Sequence, residues 1–234
     1  MEHFSLKMLI VRLLGYVLSL SMIITSSTAG HIFASGDLAA IGEKSYVKIS
    51  EAIAAAGEND TVKLLPRADG SPVYGCYTVS GKRNITIDLN KATIEYRDKN
   101  NYLLKIENSS VTIKNGTLNL QNTGSAVAVS GNSNVIFENV TIKTSGRGVF
   151  VQSAGDTYIK VNSDTVIDSE KPSFYFGSED TAENITLDIF GKINSEKASA
   201  IYNISKGKVK IKLHGGSEIM AADVGIYNKE SGFS

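Results

Sequence analysis

Apolar residues recur along the chain in short alternating runs, and the runs themselves recur. One series begins "ITIDL" at Ile85 and returns at Val111, Val135, Ile159, Ile185 and Val209, in steps of 26, 24, 24, 26 and 24 residues. A second runs through Val79, Leu104, Val127, Val149, Phe174, Ile201 and Ile226, in steps of 25, 23, 22, 25, 27 and 25. A third follows at Ile94, Leu118, Ile142, Ile167, Ile193 and Ile219. Alternation over three to five residues marks a strand with one buried face. Three such strands in every ~25 residues fit a coil that advances one strand spacing, ~4.8 Å, per turn. Like strands then stack in parallel around a shared apolar interior. Antiparallel sandwiches have no reason to keep three series in phase over so many turns. The pattern predicts an all-β parallel β-helix of about six coils over residues 79–234, the last incomplete.

Residues 30–78 read as linker and cap. In "KISEAIAAAGENDTVKLLP" Ser50 stands at a helix N-cap position, "EAIAAA" forms helix and Gly57 ends it, giving a helix over 50–56. Asn59-Asp60 then turns into a first strand over 61–65. A short amphipathic helix here covers the interior that the first coil would otherwise expose. At the other end, "GIYNKESGFS" enters a new coil with no polar capping segment. Residues 224–234 are therefore expected to be poorly packed, or covered by another subunit or by further sequence.

The first 29 residues differ from the rest. Lys7 and Arg12 precede the apolar run Leu13 to Ile24, and "TSSTAG" follows. This is the layout of a signal peptide over 1–29, cut after Ala29 or alternatively after Ala34. The run is 12 residues long, whereas a spanning helix takes about 20. A secreted or cell-surface location follows, with membrane contact only through the cleaved leader. Lys plus Arg is 24 and Asp plus Glu is 24, so no net field draws nucleic acid to the chain. Cys76 is the one cysteine, so no intramolecular disulfide forms. In "VYGCYTV", with no histidine near it in sequence, it reads as a small hydrophobe.

Residues 45–95, with an "EAI..A" helix, a "DTVKL" strand and an "ITIDLN" coil, resemble the entry to right-handed parallel β-helices of the pectin-lyase type. The later "AIYN…GKVKIKLHGGSEI…VGIYN" is similar to coils of bacterial adhesin-like surface proteins of that fold. The resemblance implies a right-handed coil and leaves two functions open, because this fold hosts both polysaccharide-cleaving enzymes and adhesive stalks. Its hydrolases carry "NTD", "DD", "GHG" and "RIK" signatures, and this chain has none of the four. Its lyases would require clustered aspartates for calcium, whereas "SDT" (Ser163 to Thr165) and "SED" (Ser178 to Asp180) are isolated acidic turns.

The chemistry visible in the sequence is therefore sparse: no catalytic group, metal site or cofactor is assigned. An ionisable column, Asp88, Lys114, Glu138, Asn162, Asp188 and Lys212, alternates in sign and reads as a solvent-facing charge ladder. His214, the one histidine of the repeats, sits before two glycines and is expected to be exposed and without a partner. Asn115 and Asn139 are 24 residues apart, suiting amide bonds between coils, and sequons such as Asn84-Ile-Thr and Asn139-Val-Thr arise from the same turn chemistry. One column remains as a binding candidate: Phe150, Tyr175, Tyr202 and Tyr227, with Lys105 in the same phase. Outward aromatic faces would stack on sugar rings or a protein partner, unless they stack on one another. The sequence thus points to an exported, adhesin-like module binding polysaccharide or a surface protein. A divergent lyase or glycosidase, and a structural stalk or fragment of a larger surface protein, are the alternatives.

Overall fold

In a computed structural model of the chain, residues 36–98, 102–152, 155–177 and 184–229 are described. The leader expected over 1–29, the "SED" turn and residues 230–234 lie outside them. The chain enters through β1 (Ala39–Ile41) and β2 (Lys44–Tyr46), an antiparallel pair whose first strand also runs antiparallel to β3 (Thr61–Leu64). Between them lies α1 (Ile49–Ala55), with Ile49, Ala52 and Ile53 buried. The helix starts one residue earlier than expected. Lys48, in extended conformation, is the N-cap and makes no side-chain cap bond, so Ser50 falls in the first turn rather than capping it. Lys48 instead pairs with Glu51 at 2.9 Å. At the other end Lys82 Nζ donates to the carbonyls of Ala54 and Ala56, at 2.7 and 2.8 Å, satisfying acceptors that a helix terminus leaves open.

From β3 onward the chain is a parallel β-solenoid of about six turns. The second series forms its own seven-stranded sheet. Its strands are β5 (Tyr77–Ser80), β8 (Tyr102–Glu107), β10 (Ser125–Ser130), β12 (Arg147–Val151), β15 (Phe174–Phe176), β18 (Ile201–Asn203) and β21 (Ile226–Asn228). The first series continues from β3 through β6 (Ile85–Asp88), β13 (Asp156–Val161), β16 (Asn184–Ile189) and β19 (Lys208–Leu213). The third comprises β4 (Val73–Tyr74), β7 (Thr93–Tyr96), β14 (Val166–Ser169), β17 (Lys192–Ser195) and β20 (Glu218–Ala221). These two series form one sheet because β9 (Ser110–Leu120) and β11 (Ser133–Thr144) run unbroken around the corner between them.

Asparagine makes that corner possible. Asn115 and Asn139 lie at φ 59° and 53°, left-handed backbone that asparagine tolerates better than most residues. Asn139 Nδ2 donates to Asn115 Oδ1 at 3.2 Å, and Asn115 Nδ2 to Asp88 Oδ1 at 3.1 Å, so the turn chemistry also ties coils together. The next residue, Gly116, has no room for a side chain: a Cβ would lie 2.5 Å from Leu89 Cβ and 2.6 Å from the Ala92 carbonyl oxygen.

Inward positions build a continuous core, including Ile94, Leu118, Ile142, Ile167 and Ile193 in one column and Leu104, Val127, Val149, Phe174 and Ile201 in another. Burying each such side chain contributes roughly 1.5–3 kcal/mol. The register departs from the expected one at two steps. Tyr77, not Val79, pairs with Leu104, and Thr157, not Ile159, pairs with Ile185. A slip of two residues keeps every side chain on its original face, so the hydrophobic alternation does not resist it. In the last coil the inward positions lose their cover. Ile226 is 43% exposed where Ile201 is 0%, and residues 222–229 are exposed throughout.

Candidate binding face

The seven-stranded sheet brings the four aromatic candidates together. Phe150, Tyr175, Tyr202 and Tyr227 are direct partners across β12, β15, β18 and β21. Tyr175 and Tyr202 stack with centroids 5.5 Å apart at 10°, Tyr202 and Tyr227 at 4.6 Å and 12°. Phe150 meets Tyr175 at 5.6 Å, tilted by 56°. The ladder therefore turns its tyrosine faces on itself and leaves edges and hydroxyls outward. Phe150 differs, because its neighbour on the other side in the same column is Ala128, which offers no ring. Lys105 and Thr78 continue the column beyond Ala128.

Ala128 belongs to a depression one coil wide. On β10 the groove is lined by the small residues Ser125, Ala128 and Ser130, with the buried Val129 between the last two. They pair with Tyr102, Lys105 and Glu107 of β8, while Ser125 and Ala128 pair with Arg147 and Phe150 of β12. Two walls of long side chains thus flank a floor of small ones. The groove is about 820 Å³, with Asn122, Thr123 and Gln152 adding polar groups at its ends.

Charge is unevenly satisfied around it. Lys105 pairs with Glu107, whose hydrogen bond raises the lysine pKa above its ordinary value, and its ammonium lies 5.8 Å from the centre of the Tyr102 ring. Lys197 pairs with Glu170 at 2.8 Å. Arg147 makes no ion pair among the described residues. Its guanidinium lies over Tyr175 at 4.5 Å and Phe150 at 5.7 Å, with Nε withdrawn from solvent and without an acceptor. Arg147 also lines a second recess of about 380 Å³ with Lys171, Tyr175 and Tyr202, so one unpaired cation serves both hollows. Lys171 Nζ donates to the Thr123 carbonyl at 3.4 Å.

The charge ladder of the first series is rearranged by the two-residue slip. Asp88, Lys114 and Glu138 are neighbours, and Asn162 Nδ2 donates to Glu138 at 3.3 Å. Asp188, however, sits between Lys160 and Lys212, one column away from Asn162. It is 7% exposed, accepts a hydrogen bond from Tyr158 at 2.9 Å and lies 3.1 Å from Lys212 Nζ. Burial opposes ionisation of Asp188, but the Lys212 and Tyr158 hydrogen bonds and the Lys212 charge outweigh it and lower the pKa. His214 is not the free turn residue expected. Its ring stacks on Phe190 at 3.7 Å and 7°, with Nε2 3.8 Å from Asp188 Oδ1. Lys160 lies 5.1 Å over the same Phe190 ring. This knot holds a single carboxylate, covered by its partners, so it lacks the facing pair of acids that glycoside hydrolysis uses. It reads as an interlock between β13, β16 and β19. Among the described residues, no group of three or more His, Cys, Asp or Glu is placed to hold a metal.

Sequence reasoning passed over Arg147 and Ala128. The available signal was the floor itself: "SAVAVS" (Ser125 to Ser130) between "YLLKIE" (Tyr102 to Glu107) and "RGVFV" (Arg147 to Val151) shows small outward residues flanked by large ones once the strands are aligned. No family profile matches the sequence, and comparison with curated proteins and with solved structures returns no similar chain. The functional reading therefore rests on the face just described.

Proposed function

We propose that this chain is a secreted or cell-surface, adhesin-like module, of the right-handed pectin-lyase type, that binds an acidic polysaccharide through the groove over β10. The observation that carries the proposal is Arg147, a guanidinium with no ion-pair partner among the described residues, lying against two aromatic rings at the junction of two hollows. Guanidinium matches carboxylate geometry with parallel donors and is less costly to desolvate than ammonium. The open side of Phe150 supplies an apolar platform for a sugar face, and Asn122, Thr123 and Gln152 supply partners for hydroxyls. The adhesin-like character and the export come from the coils and the leader pattern, and a surface protein is the competing partner class. Catalysis forms no part of the proposal.

A glycan array probed with the mature chain tests it. Uronate-bearing polymers should be retained, and neutral ones not. Arg147→Gln and Phe150→Ala should each weaken retention at least about tenfold, equivalent to ~1.4 kcal/mol. Retention of neutral and acidic glycans alike, or undiminished binding by both variants, contradicts it.

A further inference from the structure

The aromatic ladder lacks one rung, and we infer that the bound saccharide supplies it: a single sugar ring lies over Ala128 against the open face of Phe150. This rests on the saccharide-binding reading above and adds the residue that shapes the site. Strands of neighbouring coils are ~4.8 Å apart, so Lys105 and Phe150, separated by Ala128, stand about 9.6 Å apart along the column. That is the room for one ring between them. The ladder displays the spacing such a ring would take, since its own rings lie 4.6 to 5.6 Å apart. Lys105 leaves the gap open by turning toward Glu107 and the Tyr102 ring.

A ring parallel to its neighbours points its substituents along the strand direction. The polymer then crosses the sheet within the single-coil groove, between Asn122 and Thr123 at one end and Ser130 and Gln152 at the other. It does not follow the tyrosine ladder along the solenoid. Arg147 stands one column aside on the same wall as Phe150, where it reaches an acidic group on the ring. Ala128 is thus the specificity-determining residue. It admits a ring where every later coil of the column places an aromatic side chain.

The test uses an acidic oligosaccharide retained by the wild-type chain on the array, titrated calorimetrically. Ala128→Tyr should fill the missing rung from the protein side, abolish detectable binding and leave the thermal midpoint unchanged or raised. Thr78→Tyr, in the same column beyond Lys105, should bind as wild type. Should Ala128→Tyr fail to fold, Ala128→Leu serves in its place and should weaken binding at least about tenfold. Wild-type affinity in a folded Ala128→Tyr or Ala128→Leu variant overturns the rung while leaving the acid-binding groove standing. Failure of the wild-type chain to retain any glycan overturns both.

Discussion

A ring in a stacked column has two faces to engage, and Tyr202 has committed both, one to Tyr175 and one to Tyr227. Its stacking on both sides gives it a structural role, whereas Phe150, with Ala128 as its neighbour on one side, is the ring proposed to meet the ligand. Tyr202→Ala should remove two stacking contacts and cost about 1–3 kcal/mol beyond its area term, seen in denaturant unfolding, with saccharide affinity unchanged. Loss of affinity without loss of stability would reverse the assignment. The contribution of Asp188 to stability depends on pH. Its pKa is lowered from 3.8, so the stability it contributes is present above that value and is lost as pH falls through the lower folded one. Asp188→Asn should accordingly be less stable than wild type at neutral pH, with the difference closing in acid below 3.8. A difference that persists in acid would show that packing, rather than ionisation, is what Asp188 supplies.

Among the elements, strand type and strand face were legible from alternation, and strand partner was less so. Val111 and Val135 pair as the 24-residue step requires. Ile185 does not pair with Ile159, because alternation with period two is blind to a shift of two, and the step at that point is 28 residues from Thr157. The consequence was local: Asp188 moved one column, so that Lys160 rather than Asn162 stands beside it. Phe190 lies 24 residues before His214, the step kept between β16 and β19, so that stacked pair was within reach of the linear spacing. The hairpin of β1 and β2 was missed for a different reason. It is three residues a side and lies outside the repeat that made the other strands visible. Corners were legible where asparagine was periodic, as at Asn115 and Asn139. Gly116→Ala should cost about 1–3 kcal/mol, because the backbone of Ala92 and the fixed Cβ of Leu89 leave the new methyl nowhere to go. Gly215→Ala, with nothing within 4 Å, is the matched control and should be near neutral. Equal effects of the two would remove close packing as the reason for glycine at 116.

At the scale of the whole molecule, a solenoid repeats one solution, and the recurrence of three apolar runs was enough to give the architecture. The proposed function is placed where the repetition breaks. Outward columns can hold ladders of any residues that tolerate neighbours of their own kind, and such ladders stabilise without recognising anything. The break at β10, where three small side chains interrupt columns of long ones, creates the larger of the two hollows that Arg147 borders. The register of β8, β10 and β12 is the one that the sequence spacing predicts, so the break is visible once these three strands are laid side by side. The most direct test is a calorimetric titration of the wild-type chain with one uronate oligosaccharide and its carboxyl-reduced counterpart, identical but uncharged. The acidic form should bind, with the reduced form at least about tenfold weaker; equal affinity for the two would mean that Arg147 does not select the ligand.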